Sequence, residues 1–395
     1  MYKNQENQPI LTISILISNN YKNVERCLES VKPLLEAVPS ELILTDTGVE
    51  PNLRKLLEQY TDHIIDFAWC QDFSAARNVG LKQARGQWFL YIDDDEWFED
   101  ATAIGDFVKS KEADNYNVAC YIQRNYKDKE GKKYIDHRVD RILRINPKLH
   151  FEHRVHEAYT DIRIKEKKQL PVIAHHYGYC YEDEEQMRAK YLRNKTLLEL
   201  ECEEHPQDMR MRYQLVISPY TIEDWDTSIA LAEQAIQTNS NSEYWDACHT
   251  SILYCLEKKG DWNTLIQRGE EFLQKPICPF DRFGTMQFMI DAYWNTNQPE
   301  KLCDMAEQAL ELYREYSDNP SVFNKNQLMR TTFVEKGYML YFLMYSITAG
   351  LSLKRDSLIE KLTTGATAEF VDEILNTKEL ADWINANITE TEETG

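Results

Sequence analysis

No two cysteines of this chain form a C-x-x-C pair, and the nine present are scattered from Cys27 to Cys303. An odd, dispersed set excludes a disulfide framework and a cysteine-built zinc site, and predicts reduced, mostly buried thiols. Basic charge is also scarce: 45 Lys and Arg face 66 Asp and Glu, a formal net charge of −21. Phosphate contacts need clustered cations, so nucleic acid is not an expected partner. Long apolar runs are missing too. The longest, Tyr338 to Leu353, is short for a bilayer and is interrupted by tyrosines and hydroxyls, which predicts a buried helix and no transmembrane segment. The polar start, Met1 to Pro9, lacks the apolar core of a secretory signal, and this points to the cytoplasm.

What is present divides the chain. A length of 395 residues predicts two or three domains. Residues 1–182 carry 25 basic and 29 acidic side chains, whereas residues 183–395 carry 20 and 37. These are chemically different objects, so the expected domains are 1–182 and 183–395.

The first part alternates strand and helix. Ile10 to Ser18 is apolar and β-branched, and after it Val24, Leu28, Val31 and Leu35 recur at helical spacing. Leu42 to Thr45, Ile64 to Trp69 and Trp88 to Ile92 read as strands, with helical stretches at Leu53 to Leu57 and Phe73 to Arg85 between them. That order predicts an α/β domain with a mostly parallel sheet covered on both faces. From Val118 to His176 the helices thin out, which predicts a mixed, partly antiparallel extension of the sheet.

Beyond residue 182 the strands disappear and a repeat begins. Asp224 to Ile236 aligns with Asp261 to Leu273 and with Gln298 to Leu310, each 37 residues after the last, and each follows another helical stretch. Equal spacing of helical pairs predicts an all-α array of stacked helix-turn-helix units. Ala232, Gly269 and Ala306 sit at matched points where helices would approach closely. Glu390 to Gly395 reads as a disordered tail.

Chemistry concentrates at Asp93-Asp94-Asp95-Glu96, directly after the apolar run Trp88 to Ile92. Acidic side chains at the carboxyl edge of such a sheet stand where open α/β folds hold ligands, and their hard oxygens can share a divalent cation with a diphosphate. Alternation sends Asp93 and Asp95 one way and Asp94 the other, making Asp93 and Asp95 the expected metal anchor. Residues 124–154 hold ten basic groups against five acidic ones, which suits diphosphate or a solvated hairpin equally.

Leu11 to Asn20, Leu42 to Gly48, Phe73 to Gly80 and Phe89 to Glu96, in this order, resemble the family 2 glycosyltransferases, nucleotide-sugar enzymes of the GT-A fold. Arg141 to Arg144, Phe151 to Glu157 and His175 to Tyr179 add a likeness to members with tetratricopeptide-like C-terminal repeats, including sublancin-type peptide S-glycosyltransferases. The resemblance implies a UDP-sugar donor with Mn²⁺ or Mg²⁺. It assigns Ile17, Ser18, Asn19, Asn20 and Asp46 to the nucleoside, although a structural Asp46 would cap the next helix instead. The family has another aspartate a few residues on, where this chain has Val49-Glu50-Pro51.

Further implied roles follow the same likeness. Arg77 would neutralise phosphate and Asn78 would hold the carboxylate turn, unless both belong to a helix face packed on the sheet. Asp93, Asp94 and Asp95 would serve the diphosphate and its cation, with His176 as a further metal ligand. The family usually inverts the anomeric carbon, which calls for one base. Glu157 is the first candidate and His156 the second; orienting the sugar or binding the metal are the other roles open to them. Trp97, Tyr177 and Tyr179 would stack on sugar faces or pack. The expected acceptor is a Ser, Thr or Cys of a peptide or protein, held by the concave repeats, which also offer a surface for self-association. A cell-envelope glycan or lipid-linked sugar is the alternative acceptor, and a non-catalytic interaction scaffold is the rival of another class.

Overall fold

The structure, a computed structural model, describes residues 8–160, 162, 167–178, 180–181, 183–240, 242–319, 336–368 and 370. The expected tail at 390–395, Tyr179 and most of the polar start lie outside the described residues. The chain forms two compact units, Met1–Glu201 and Cys202–Gly395.

The first unit runs β1 (Leu11–Ile17), α1 (Tyr21–Ala37), β2 (Ser40–Asp46), α2 (Pro51–Tyr60), β3 (Ile64–Asp66), α3 (Phe73–Gln83), β4 (Trp88–Asp93), β5 (Glu96–Phe98) and α4 (Thr102–Lys109). It continues through β6 (Val118–Tyr126), β7 (Tyr134–Arg144), β8 (His150–Glu152), β9 (Ala158–Thr160), β10 (Lys167–His176) and α5 (Glu184–Glu204). One sheet is ordered β3-β2-β1-β4-β7-β6-β10-β5, and β8 pairs with β9 in a small second sheet. The four strands from β3 to β4 are parallel. β7 then runs antiparallel to both β4 and β6, β10 runs parallel to β6, and β5 closes the edge antiparallel to β10.

Strand β1 is buried along nearly its whole length, as a central parallel strand must be. Helix α1 lays Val24, Leu28, Val31 and Leu35 on one face of the sheet. Helix α3 comes unusually close to β1. A Cβ on Gly80 would stand 2.5 Å from Ser14 Oγ, so only glycine permits this approach, and Arg77 one turn earlier is carried over the carboxyl end of β4.

Two elements depart from the sequence reading. Strand β5 was not expected: Asp94 and Asp95 form the turn after β4, and the chain then enters β5, which pairs at the far edge and buries Glu96 completely. The expected strand from Ala158 to Ile164 is strand over Ala158–Thr160 and not at Ile162, while Asp161, Arg163 and Ile164 lie outside the described residues. The contact boundary after Glu201 also falls later than the charge seam at 182. The reason is α5, which belongs to the acidic half by composition but docks on the first unit: Glu201 accepts from Arg154 N and pairs with His153.

The second unit is helical throughout its described residues: α6 (Met209–Ile217), α7 (Trp225–Ile236), α8 (Glu243–Lys259), α9 (Trp262–Leu273), α10 (Pro279–Asn295), α11 (Pro299–Asp318), α12 (Lys336–Ser352) and α13 (Asp356–Thr363). The aligned repeats start at equivalent caps. Asp224 and Asp261 accept from the backbone N–H of Thr227 and Thr264, and Pro299 opens α11. The matched small residues do what close packing requires: Ala232 and Ala306 are fully buried, and a Cβ on Gly269 would stand 2.8 Å from Met289 Sδ. Cys278, Asp246 and Asp281 cluster at the start of α10, where Asp246 accepts from Cys278 N and the thiol points to Asp281, a hydrogen-bonded helix start. Among the described residues, no helix is long and apolar enough to cross a membrane.

Candidate functional site

The carboxyl ends of β1 and β4, α3, the loop between β8 and β9, and α5 surround a cleft of about 600 Å³. Of the residues expected at the donor site, Ile17, Ser18, Asn19, Arg77, Asp93 and Asp94 line it. Asp95, His156, Glu157 and His176 line it too.

Both carboxylate oxygens of Asp93, expected as a metal anchor, are engaged by guanidinium groups. Its Oδ1 accepts from Arg77 Nη2 at 2.5 Å and its Oδ2 from Arg141 Nη2 at 2.9 Å. Burial would raise this carboxyl, but Arg141 and Arg77 hold it well below the usual carboxylate range. The alternation argument placed Asp93 beside Asp95, but β4 stops at Asp93 and the strand period ends with it. Asp94 turns inward to accept from Ser18 N at 2.6 Å, and so pins the end of β1 to the end of β4.

Asp95 and His176 remain as the facing pair, with Asp95 Oδ2 at 3.4 Å from His176 Nε2. Their surroundings fit a hard divalent cation. A Cβ on residue 178 would stand 2.3 Å from His176 Nε2 and 3.0 Å from Asp95 Oδ2, and Gly178 keeps that space clear. The ring is also oriented for ligation. Asn125, itself buried, directs its amide N–H toward Gln123, so its Oδ1 faces His176 Nδ1 at 2.6 Å. An oxygen acceptor there places a proton on Nδ1, so that Nε2, facing the Asp95 carboxylate, holds either the second proton or a cation in its place. Burial works against a charged His176, but Asp95 raises its pKa above the ordinary value.

These contacts form one buried chain across the sheet. Gln123 Nε2 donates to Glu96 at 2.7 Å, Arg141 bridges Glu96 and Asp93, and Arg77 bridges Asp93 and Glu157. Arg77 Nε donates to Glu157 Oε1 at 2.7 Å, which fixes the base candidate in the cleft wall. Glu157 and its neighbour His156 sit in a loop where His153 and His156 both take left-handed backbone angles, φ 75° and 55°. Such angles are costly for a residue with a side chain, and Glu201 of α5 holds this loop in place.

Three expected residues do not reach the cleft. Asn20 caps α1 by accepting from Asn23 N. Asp46 Oδ1 accepts from Gly48 N and Val49 N and its Oδ2 pairs with Arg54, so its carboxylate shapes the turn after β2. Asn78 faces away from the carboxylates and clamps the backbone of Phe151, donating to its carbonyl and accepting from its N–H. Trp97 and Tyr177 stack on each other at 5.4 Å, Tyr177 stacks on Tyr126, and Arg26 covers Trp97. They pack.

Sequence reasoning missed part of the wall. Lys190, Arg193 and Asn194 of α5 line the cleft, as do Trp69 and Phe73. The charge seam had assigned α5 to the other domain. Burial lowers the pKa of both Lys190 and Arg193, while Asp95 raises each.

The titrating carboxyls predict a pH dependence. Asp94 and Glu96 are each pushed up to about 7, with burial the leading cause. An acid that binds its proton more tightly when folded stabilises the fold while protonated. That contribution is lost as pH rises from the unfolded value near 4 toward 7, at no more than about 1.4 kcal/mol per pH unit for each carboxyl. His176, raised, acts with the same sign, and the window for Asp93 lies below about pH 4. The ligand-free protein should therefore melt at lower temperature at pH 7 than at pH 5, and Asp94→Asn should flatten the slope. A fluorimetric melting series checks this; a midpoint that climbs with pH contradicts it.

Residues 12–179 match the family described as Glycosyl transferase family 2. A TPR repeat-containing protein of Synechococcus elongatus is 25% identical over 317 residues, covering 76% of this chain and 75% of that one. The SPbeta prophage-derived glycosyltransferase SunS of Bacillus subtilis is 26% identical over 199 residues, 48% of this chain and 44% of its own, so this chain spans less than half of that relative's length. Among solved structures, S. aureus TarS 1–349 in complex with UDP-GlcNAc is similar at 13% identity and a TM-score of 0.37, over 73% of this chain and 90% of that one. Residues 12–179 thus form a family 2 glycosyl transferase domain, similar in sequence to the glycosyltransferase SunS.

Proposed function

We propose that this glycosyltransferase moves a sugar from a UDP-linked donor to a Ser, Thr or Cys of a peptide or protein, with inversion and with the help of a divalent cation. The observation that carries the reading is the meeting, in one cleft, of the Asp95 and His176 pair, the cations Arg77, Lys190 and Arg193, and Glu157. A divalent cation at Asp95 and His176 would offset the negative charge that builds on the departing diphosphate. Lys190 and Arg193 act on the same charge from α5 and exclude water from the wall they cover. Arg77 holds Glu157 in position to take the acceptor's proton on the face opposite the leaving group, with His156 next to it in the same loop.

A polypeptide acceptor is supported by the second unit, whose stacked helices suit an extended chain and whose half of the sequence carries 37 acidic against 20 basic side chains. The test is calorimetric titration of UDP and a panel of UDP-sugars, with Mn²⁺ and with chelator, followed by mass spectrometry of peptides incubated with the donor that binds. Binding that weakens on chelation is expected. A protein that binds no nucleotide sugar under either condition would overturn the reading.

A further inference from the structure

The helical unit contains a second cavity, of about 690 Å³, at some distance in sequence from every residue discussed for the donor. Its walls come from α8, α9, α10 and α12. Ring faces supply much of them: Trp262 from α9, and Tyr338, Tyr341 and Tyr345 from α12. Two carboxyls complete the lining, Glu257 from α8 and Asp291 from α10.

Glu257, Asp291 and Tyr345 line the same well. Asp291 is pushed up to about 7 by burial and by the Glu257 carboxyl, and burial and both carboxyls push the Tyr345 hydroxyl up. Tyr345 is held by a flat stack on Trp294 at 4.8 Å, while Tyr341 stays 60% exposed at the rim, an unusual exposure for a large aromatic side chain. The cation Lys258, also in the lining, pairs with Glu257 at 3.2 Å and leans on the Tyr254 ring, which offsets one carboxylate. With both carboxyls ionised, this single ammonium leaves one negative charge of the well unmatched. The matching ligand is planar, cationic and able to donate two parallel N–H bonds.

We propose that this cavity binds an arginine side chain of a polypeptide, its guanidinium stacked on the tyrosine and tryptophan faces and its N–H groups donated to Glu257 and Asp291. Arginine is favoured over lysine because a planar fork meets both the rings and a pair of carboxylates, whereas an ammonium is a point charge that stacks on nothing. A polypeptide source is favoured by the acidic excess of residues 183–395, which draws basic chains toward this unit. Arrival of the guanidinium lets Asp291 ionise beside Glu257, and the proton of Asp291 leaves to solvent. The inference deepens the polypeptide-acceptor reading above by naming a side chain the acceptor carries, and its test does not use the transfer reaction.

The test is calorimetry on the full chain with the peptide acetyl-Gly-Ser-Arg-Ser-Gly-amide, its citrulline counterpart, which keeps the shape and loses the charge, and chitotriose. The arginine peptide is expected to bind at least about tenfold more tightly than the citrulline peptide. Glu257→Gln combined with Asp291→Asn should erase that discrimination. Tyr341→Ala, at an exposed position where folding is not at stake, should weaken the arginine peptide about threefold or more. Equal binding of the two peptides, binding of neither, discrimination that survives the double substitution, or binding of chitotriose alone would each overturn the proposal. UDP titrations of the same proteins separate the two readings: if UDP fails to bind while arginine discrimination holds, the donor assignment falls and this site stands.

Discussion

Asp95→Ala is expected to reduce sugar transfer by about a thousandfold or more, equivalent to roughly 4 kcal/mol of transition-state stabilisation. The thermal midpoint should move by less than about 2 °C, within the range of surface substitutions. The two outcomes are separable because of where Asp95 sits. It lies in the turn between β4 and β5, about a third exposed, with His176 as its ionic partner. No helix cap or buried arginine depends on it among the described contacts. Turnover with the UDP-sugar that binds, measured beside a melting curve, decides the matter. A variant that melts many degrees lower would mean that the acidic turn is structural, and one that retains activity would remove Asp95 from the chemistry.

The converse result is expected at Arg141, where Arg141→Met should destabilise the first unit by about 3–5 kcal/mol. Arg141 stands between Asp93 Oδ2 at 2.9 Å and Glu96 Oε1 at 3.0 Å, and its guanidinium lies 4.7 Å from the Tyr91 ring centre. Methionine fills much of the volume but leaves a completely buried Glu96 and half of Asp93 without the cation that offsets them. For a unit of this size the midpoint should fall by roughly 10 °C at neutral pH. The sign of the pH effect follows from Glu96, which is already raised to about 7: the deficit shrinks on acidification, because a protonated Glu96 no longer needs the arginine. Chemical denaturation at two pH values measures both quantities. A variant as stable as the parent would show that the chain of buried charges does not hold the sheet together.

Much of this architecture was legible in the sequence because it is local. The apolar run of β1, the spacing of Val24, Leu28, Val31 and Leu35 on α1, and the recurrence of helical segments beginning at Asp224 and Asp261 are short-range patterns, and the structure has each in its expected place. The site was legible as a set of residues but not as a set of partnerships. That both oxygens of Asp93 are taken up by arginines depends on Arg141, which is 48 residues from Asp93 in sequence, and no local pattern predicts that Arg141 bridges Asp93 and Glu96. Asn78 was assigned to the wrong task for the same reason, since its partner, Phe151, belongs to a hairpin 73 residues on. Counting charge misplaced α5 because an average over a long segment cannot register that Glu201, Lys190 and Arg193 tie the helix to the first unit.

The edge strand β5 has a consequence for how the molecule matures. Only two residues separate it from β4, yet its strand partner is β10, which the ribosome completes about eighty residues later. Until Ala174, His175 and His176 arrive to pair with Phe98, Trp97 and Glu96, the segment after Asp95 has no neighbour to zip onto. A nascent chain released before that point could own every aspartate of the corner and still lack the corner itself, so competence for catalysis is the last property the domain acquires during its synthesis.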